Sequence, residues 1–340
     1  MNLAPPAPHP LQPFWNLAVA PVQVQGLELA LEHDLFTLLG QPLSSAAIAA
    51  RLQWHADGVQ AWLDLLWGLR LLERDAGRYR SSALATRWFT PASADNCLQA
   101  WRFRARAFSG TAPQLAAMLR TGPTSADAAR QQPTMGNWAS AAQVQIGQEQ
   151  QAISVPEAMR VLQALDALPL QGRMLDLGGG PGRVAIALAQ ACPRLHAVVF
   201  DLPQPVQVAA ANIAQAGLQA RVQAMGGDLD DDDFGSGYDL VWCSSVLHFV
   251  ADPLTLLRRV LSALKPGGRL LIAHAERPDA ADASAALLPF YLPMALRGSF
   301  VPYAGETARL LQEAGFSDVQ CHGHAQMAMA ALPVYSGVRR

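Results

Sequence analysis

The feature that constrains this chain most is a glycine-rich segment between a predicted strand and a predicted helix. The strand ends near Asp176, glycines stand at positions 178, 180 and 182, and residues 184–190 have the apolar spacing of a helix. This order of strand, turn and helix lets a nucleotide-like ligand lie against bare backbone at a helix N-terminus. The alternative is a tight turn that needs glycine only for its dihedral angles.

The charge and spacing of this segment narrow the class of ligand. The dinucleotide fingerprint needs its third glycine at position 183, where this chain has Arg183. Asp176 stands two residues before Gly178, and its negative charge would repel a pyrophosphate. S-adenosylmethionine (SAM) carries a sulfonium and an ammonium group and no phosphate. We therefore expect SAM as the cofactor.

Two further acids follow the next predicted strands. Asp201 ends an apolar run nineteen residues beyond Gly182, where an acid would accept hydrogen bonds from both ribose hydroxyls. Asp228 follows another strand-like run and is expected near the adenine. Because the carboxyl ends of parallel strands share one edge of a sheet, these acids and Asp176 should meet at one crevice. Each could instead be a strand-end or helix-capping aspartate.

Composition argues against several classes of protein. The 340 residues carry a net charge of −2, which gives no strong field for nucleic acid or an anionic membrane. The four cysteines have no paired spacing, so neither a metal site nor a disulfide framework is expected. The sequence has neither the pattern of a secretion signal nor a long apolar run typical of a membrane span. We expect a soluble, cytoplasmic protein.

Residues 1–91 are predicted to form an N-terminal domain. Helical patterns run from Phe14, and residues 71–81 have the pattern of a strand, a turn and a strand, which together are typical of a winged helix. Residues 1–100 hold six Arg, no Lys and eight acids, so the basic face that DNA binding requires is missing.

The helix predicted to begin at Asp57 has an apolar face. Trp62, Leu65, Leu66 and Leu69 stand where Arg and Asn would be needed to read DNA. A face of this kind favours burial against a second copy of the chain, and we expect a homodimer through the N-terminal domain. Packing within the chain and DNA binding are the alternatives.

Residues 92–170 are predicted to be a helical linker that could roof a substrate pocket. Strands and helices alternate over residues 171–340, which indicates a doubly wound α/β domain. The predicted strands are 173–177, 196–201, 221–226, 238–244, 268–275, 318–323 and 333–339, and the predicted helices are 184–191, 204–216, 253–264 and 305–314. Beyond Asp228, the aspartates up to position 233 are interpreted as a solvated loop and not as a metal site.

One histidine and two glutamates are candidates for catalysis. His248 follows the fourth strand of the α/β domain, at the edge where the cofactor is expected, and could act as a general base. Glu276 ends the fifth strand and Glu306 begins a later helix. Either carboxylate could hold one imidazole nitrogen and raise the basicity of the other. A structural histidine and helix-end or surface charges are the alternatives.

Together these motifs resemble those of the SAM-dependent O-methyltransferases that include acetylserotonin, plant caffeate and bacterial antibiotic-tailoring enzymes. The resemblance rests on Asp-Leu-Gly-Gly-Gly-Pro-Gly at 176–182, Phe-Asp-Leu-Pro at 200–203, Gly-Asp at 227–228, Val-Leu-His at 246–248, Lys-Pro-Gly-Gly at 265–268 and Ala-Glu at 275–276. It implies a class I, Rossmann-like methyltransferase domain preceded by an all-helical, winged-helix-like dimerisation domain. It also implies a small-molecule substrate.

The resemblance implies roles for individual residues as well. The residues expected to bind SAM are Asp176, Gly178, Gly180, Asp201, Leu202, Asp228, Leu229 and Ser244. Among them, Asp201 would hold the ribose and Asp228 the adenosine end. His248 would be the general base, with Glu276 and Glu306 flanking it.

The chain departs from the family after the fourth strand. Members usually have His-Asp-Trp where this chain has His248, Phe249 and Val250. The aromatic residue that packs on the adenine is thus missing, and Leu229 or Trp242 is expected to replace it. Relatives with altered motifs methylate sulfur or carbon, so S- or C-methylation is the first alternative to O-methylation. A non-catalytic SAM-binding regulator is the second.

The substrate is expected to carry an acidic hydroxyl and to be aromatic or polyketide-like. Four residues between the fifth strand and Glu306 are candidates to line an apolar pocket: Phe290, Tyr291, Met294 and Phe300. Packing of these residues within the core is the alternative.

Overall fold

A computed structural model of the protein describes residues 9–122, 142–168 and 171–340. The chain forms two compact units, Met1–Ala105 and Arg106–Arg340, and the division falls within one helix, Leu98–Thr111. The predicted linker at 92–170 lies in part outside the described residues. Within the described ranges, no helix combines the length and the apolar character needed to cross a bilayer.

The N-terminal unit is helical apart from one small sheet. Its elements are α1 (Gln12–Glu32), α2 (Leu35–Leu38), β1 (Leu43–Ser44), α3 (Ser45–Leu52), α4 (Ala56–Gly68), β2 (Leu72–Asp75), β3 (Arg78–Ser81), α5 (Ala83–Phe89) and α6 (Leu98–Thr111). The strands pair antiparallel in the order β1-β3-β2, so β2 and β3 form the predicted hairpin. Helices followed by a hairpin agree with the winged-helix-like pattern of the sequence.

The core of this unit forms where α4 packs against α1 and α3. Leu63 and Leu66 of α4 are fully buried together with Ile48 of α3. Trp62 donates a hydrogen bond from Nε1 to the carbonyl oxygen of Gly26 in α1 at 2.9 Å. For Leu66 the predicted burial against a second chain is wrong, because this side chain is 0% exposed within its own unit. Trp62, Leu65 and Leu69 of the same face are only partly buried there. Apolar periodicity shows that a helix has a buried face, and only packing shows what covers it.

The C-terminal unit alternates strands and helices. Its helices are α7 (Leu115–Thr121), α8 (Gly147–Glu149), α9 (Val155–Ala164), α10 (Arg183–Ala191), α11 (Pro203–Gln215), α12 (Pro253–Ala263), α13 (Ala281–Leu296) and α14 (Glu306–Ala314). Its strands are β4 (Gln171–Leu177), β5 (Arg194–Asp201), β6 (Val222–Gly226), β7 (Tyr238–Ser244), β8 (Leu264–Ala273), β9 (Ser317–Gln326) and β10 (Ala331–Val338). Two π-helical turns, Ala142–Ile146 and Gln150–Ser154, flank α8, and 3₁₀ turns occur at Ala112–Gln114 and Leu247–Phe249.

The seven strands of this unit form one sheet in the order β6-β5-β4-β7-β8-β10-β9. Strands β4 to β8 are parallel, whereas β10 is antiparallel to both β8 and β9. The predicted α/β class is confirmed. The carboxyl ends of the five parallel strands lie along one edge, and the loops that follow them carry the acids and the histidine that the sequence singled out.

Both faces of the sheet are buried under helices. Met174 and Trp242 pack with α9, α10, α11 and α13 on one face, and Leu175 and Val241 pack with α12 and α14 on the other. Trp242 is 1% exposed within this core. It is therefore a packing residue, which leaves Leu229 for the expected contact with adenine.

Candidate active site

The carboxyl edge of the parallel sheet brings the candidate residues together. Asp201 at the end of β5 pairs with Gly226 of β6, and Ser244 at the end of β7 pairs with Ala273 of β8, so neighbouring strands end level with one another. The glycine-rich loop, an acidic loop and the turn that carries His248 begin at these ends. Side chains that are distant in sequence therefore line one edge.

The glycine-rich loop, residues 178–182, has a backbone that requires glycine. Its glycines at 178, 180 and 182 have φ angles of 67°, 54° and 74°, in the left-handed region that favours glycine. A Cβ at position 178 would lie 2.5 Å from Cγ2 of Val246, which stands just before the turn that carries His248. The loop therefore packs directly against that turn.

Asp201 ties the glycine-rich loop to the end of β5. Its Oδ2 accepts a hydrogen bond from the Gly180 N–H at 2.7 Å, and its Oδ1 accepts one from the Leu202 N–H at 2.7 Å. Burial raises the pKa of this carboxyl, and the two backbone hydrogen bonds act against the rise. Each oxygen keeps a second lone pair that can accept from a ligand. A Cβ at Gly180 would meet no atom closer than 3.5 Å, so the backbone there can be approached closely.

Asp176 lies directly against the backbone of the loop. A Cβ at Gly179 would be 2.7 Å from Cγ of Asp176, and the Asp176 Oδ2 accepts a hydrogen bond from the Ala185 N–H at 3.3 Å. Burial raises the pKa of this carboxyl to about 7, the charge of Asp201 adds to the rise, and the hydrogen bond from Ala185 opposes it. Asp176 thus supports the loop and the first turn of α10. Its direct contact with a cofactor stays a prediction.

The acidic loop, residues 228–233, is closed by its own side chains. Asp228 accepts a hydrogen bond at Oδ1 from the Asp230 N–H at 3.0 Å, and Asp232 accepts one at Oδ2 from the Asp228 N–H at 2.8 Å. Arg259 of α12 donates to the carbonyl oxygens of Leu229, Asp230 and Asp232. Leu229 is partly buried against the core. In the described part of the chain, no three His, Cys, Asp or Glu side chains are grouped to hold a metal ion.

Gln150 is a loop-binding residue that the sequence analysis missed. It lies in the π-helical turn after α8. Its Nε2 donates to the carbonyl oxygen of Gly179 at 3.0 Å, and its Oε1 accepts from the Arg183 N–H at 3.2 Å. One side-chain amide therefore links the middle of the loop to the start of α10. A glutamine within a glutamine-rich segment carries no sequence signal for this role.

Two histidines lie side by side next to the loop. His248 belongs to the 3₁₀ turn after β7, and His274 directly follows the adjacent strand β8. Their ring centroids are 5.6 Å apart, with 24° between the planes. Phe300 also stacks on His274, at 5.7 Å and 14°. The ring of Tyr291 in α13 lies edge-on to His248 at 6.0 Å.

His274 was also missed by the sequence analysis. It is 0% exposed, and its Nε2 lies 3.4 Å from the carbonyl oxygen of Phe300. Burial lowers its pKa to about 4, against a smaller upward effect of the Phe300 carbonyl, so the imidazole is neutral at pH 7. The signal that could have found it is its place immediately beyond a parallel strand, two residues before Glu276.

The two predicted glutamates are anchored to the start of α14. The buried Glu276 accepts hydrogen bonds from the N–H groups of Gly305 and Thr307, each at 2.9 Å, and from the Tyr335 hydroxyl at 2.7 Å. Glu306 accepts from the Tyr303 N–H at 2.7 Å and forms an ion pair with Arg309 at 2.6 Å. His248 is not among these partners. The structure thus gives both carboxylates a role in fixing α14.

The four predicted pocket residues divide between ring contacts and the core. Phe290 lies edge-on to Tyr291 at 4.6 Å and to Phe108 at 5.5 Å. Met294 is half-buried against the core of one sheet face. Tyr291 and Phe300 make ring contacts with the histidine pair, so the structure brings these two to the candidate site.

The fold and the residues along the sheet edge define a Rossmann-like domain with a candidate ligand site at its glycine-rich loop, preceded by a winged-helix-like unit. Residues 137–317 match the family of O-methyltransferase domains, and residues 15–91 match the O-methyltransferase dimerisation domain. The first match covers more than half of the chain, so this protein belongs to the O-methyltransferase family.

The names of two relatives indicate different methyl acceptors, oxygen in one and carbon in the other. Demethylspheroidene O-methyltransferase of Cereibacter sphaeroides is 32% identical over 176 residues, which cover 51% of this chain and 45% of that protein. L-tyrosine C(3)-methyltransferase of Streptomyces lavendulae is 35% identical over 122 residues, covering 35% of this chain and 33% of that protein. The chain thus matches less than half the length of these two relatives.

A longer match supports the same family, and a solved structure has the same fold. The tetracenomycin polyketide synthesis 8-O-methyl transferase TcmO of Streptomyces glaucescens is 29% identical, with 86% of this chain and 87% of that protein covered. Human N-acetylserotonin methyltransferase, solved in complex with SAM, has the same fold, with a TM-score of 0.72 and 24% identity. That similarity covers 99% of each chain.

Replacing Asp176 by Asn is expected to stabilise the protein without ligand at alkaline pH. The folded state raises the pKa of this carboxyl from 3.8 to about 7. The raised pKa therefore stabilises the folded state fully below about pH 4. This stabilisation, up to about 4 kcal/mol in the free energy of unfolding, is lost as the pH rises to about 7. Asn keeps an acceptor for the Ala185 N–H and has no charge to desolvate.

Thermal unfolding of Asp176→Asn and wild type between pH 4 and pH 8 measures this effect. The variant should melt higher at pH 8 and show a flatter pH dependence, whereas the exposed control Asp231→Asn should follow the wild type. A variant that melts lower at pH 8 and keeps the wild-type slope would contradict the proposed cost of burying Asp176.

Proposed function

We propose that this protein is a SAM-dependent methyltransferase that methylates an acidic hydroxyl of a small molecule, with His248 as the general base. The observation that supports this most is the direct packing of the glycine-rich loop against the turn that carries the buried His248. The glycine-rich loop and His248 are therefore neighbours at the carboxyl edge of the sheet. Membership of the O-methyltransferase family supports the same activity.

The residues of the edge fit SAM. Backbone at Gly180 is open to close approach, and Asp201 keeps a lone pair on each oxygen for the two ribose hydroxyls. Asp228 and Leu229 begin the next loop along the edge and are proposed to hold the adenosine end. When bound, SAM supplies a methyl group on positively charged sulfur. The likeness of the fold to a methyltransferase solved with SAM supports this assignment.

His248 is proposed to take the proton of the substrate hydroxyl. As the O–H bond breaks, the oxygen forms its bond to the methyl carbon, and the electron pair of the sulfur–carbon bond stays on sulfur. A positioned base contributes a factor of about 10²–10⁴ to such a step. Burial of the imidazole beside Tyr291 excludes water from the proton transfer.

Glu276 and Glu306 are proposed to act through α14. Their hydrogen bonds fix the segment 303–307, and Phe300, which stacks on His274, lies just before this segment. In this proposal both glutamates position the wall of the substrate site. They are not proton partners of His248.

One observation favours carbon methylation as a second candidate. The chain has Phe249 where the family usually has Asp, and L-tyrosine C(3)-methyltransferase is among its relatives. An activated ring carbon does not need the same deprotonation as a hydroxyl. The experiments on His248 below separate these two candidates, and a protein that binds SAM without turnover would be a regulator.

We also propose that the protein is a homodimer through its N-terminal unit. The N-terminal part of α1 exposes several large apolar side chains: Phe14, Trp15, Leu17, Val19, Val22 and Val24. A soluble chain rarely leaves such a patch in contact with water. A match of residues 15–91 to the O-methyltransferase dimerisation domain supports a second copy of this chain as the covering partner.

A small-molecule substrate in the cytoplasm completes the proposal. All four cysteines are free thiols, and Cys192 and Cys243 are buried, which suits a reducing compartment. Neither nucleic acid nor a membrane is proposed as a partner, since the net charge is only −2.

The cofactor assignment predicts that Asp201→Ala weakens SAM binding by at least about tenfold. The variant loses the charged acceptor of the ribose hydroxyls and the tether of Gly180, and hydrogen bonds to charged groups contribute about 1.5–3 kcal/mol each. Calorimetric titration with SAM and with NAD measures this, with exposed Asp231→Ala as the control. Unchanged SAM affinity in Asp201→Ala, or tighter binding of NAD by the wild type, would remove the assignment.

The general-base assignment predicts that His248→Ala lowers kcat by about 10²–10⁴ and leaves SAM affinity within about twofold. Transfer of the labelled methyl group from SAM to a panel of phenols, thiols and tyrosine measures it. The exposed His196→Ala serves as the matched control. If the kcat of His248→Ala on a hydroxyl acceptor stays within about fivefold of the wild-type value, His248 is not the general base. Product on ring carbon would favour the second candidate.

The assembly proposal predicts that Trp15→Asp combined with Leu17→Asp gives monomers. These side chains are 59% and 73% exposed in the single chain. Burying two charges at an interface would cost more free energy than the dimer contact provides. Light scattering coupled to size exclusion measures the mass. Leu84→Asp, on an exposed leucine of α5, should leave the dimer intact. A monomeric wild type at micromolar concentration would overturn the proposal.

A further inference from the structure

A second histidine at the candidate site lacks a function in the mechanism above. His274 is 0% exposed and lies between two ring contacts, His248 at 5.6 Å and Phe300 at 5.7 Å. It stands immediately beyond β8, whose end pairs with the end of β7, the strand that leads to His248. The two imidazoles therefore reach the edge from adjacent strands.

One of the two ring nitrogens of His274 has no hydrogen-bond partner among the described residues. A carbonyl oxygen can only accept, so the contact of Nε2 with the Phe300 carbonyl at 3.4 Å places the ring proton on Nε2. Nδ1 is then an acceptor. It is fully buried, and among the residues that the structure describes it has no hydrogen-bond partner.

A buried acceptor without a partner needs an explanation. Most buried polar side-chain atoms in native proteins are hydrogen-bonded, and the exceptions reflect strain, a catalytic role or a bound group that completes the hydrogen bonding. The neutral imidazole cannot remove the deficit by taking up a proton near pH 7, because burial lowers its pKa to about 4. The described residues supply no donor to Nδ1, so a donor from outside the protein would complete the hydrogen bonding of this ring.

We propose that Nδ1 of His274 accepts a hydrogen bond from the substrate and thereby determines specificity. The inference rests on the proposed function, since it takes the hydroxyl at His248 as the methyl acceptor. Two neighbouring imidazoles on one edge suit two neighbouring polar groups of one ligand. The substrate class is a planar aromatic molecule with a second hydroxyl beside the one that is methylated, flanked by Tyr291 and Phe300.

Three substitutions separate this role from a structural one. His274→Phe keeps a flat ring between His248 and Phe300 and removes both nitrogens. His274→Asn keeps a polar atom near the position of Nδ1, and His274→Gln keeps one near the position of Nε2. A role in binding the substrate should be rescued in part by Asn, whereas a role in holding the Phe300 carbonyl should be rescued by Gln.

The probes are 2,3-dihydroxynaphthalene and 2-naphthol, which differ only in the second hydroxyl. Binding is measured by calorimetry in the presence of S-adenosylhomocysteine, and kcat/KM is measured with SAM. Wild type should prefer the diol by at least about tenfold in both measurements. The preference should fall to within about twofold in His274→Phe and His274→Gln and return in part in His274→Asn. Melting temperatures report whether the variants fold.

Each other outcome overturns the inference. These outcomes are equal binding of the two naphthols by wild type, no binding of either, a preference that survives in His274→Phe, or rescue by Gln and not by Asn. The proposed function is judged separately, from SAM affinity and from methylation of 2-naphthol. Wild type that methylates 2-naphthol without preferring the diol would remove the role of His274 and leave the methyltransferase proposal standing.

Discussion

The site depends on the contact between the glycine-rich loop and the turn after β7. Val246 occupies the space where a Cβ at Gly178 would lie, so the loop packs against Val246, two residues before His248, only because position 178 has no side chain. Asp201 then holds the Gly180 N–H from the next strand, and Gln150 spans the loop from Gly179 to Arg183. A preorganised loop presents its backbone to a ligand without further ordering, which lowers the entropic cost of binding.

Burial shifts the pKa values of titratable side chains at this edge of the sheet. It shifts both Asp176 and His274 toward their neutral forms, raising the pKa of the carboxyl to about 7 and lowering that of the imidazole to about 4, since charged side chains are poorly solvated inside the domain. The same dry surroundings strengthen every hydrogen bond that a ligand would make there. Stability without ligand falls in return as the pH rises to about 7, because the folded state disfavours the ionised Asp176 carboxylate.

The parts of the fold that follow from local rules were predictable. Asp201 and Asp228 were placed correctly at strand ends because strand length, turn residues and helix starts are written in nearby sequence. Strands β9 and β10 were predicted near their true positions, but their antiparallel pairing depends on contacts between distant segments. The apolar face of α4 was recognised, but Leu66 of this face lies in the core of its own unit, because periodicity does not distinguish the core of a unit from an interface.

The sequence by itself determined the α/β class, the glycine-rich loop and the row of acids and histidine that follow the parallel strands, since each is a local pattern with a fixed geometric consequence. Tertiary structure alone decided the partners of those residues. It gave Glu276 to the start of α14, brought Gln150 across the loop and set His274 beside His248. Hydrogen bonds and ring contacts between distant segments form only when packing brings the segments together, and no local pattern records which of them will meet.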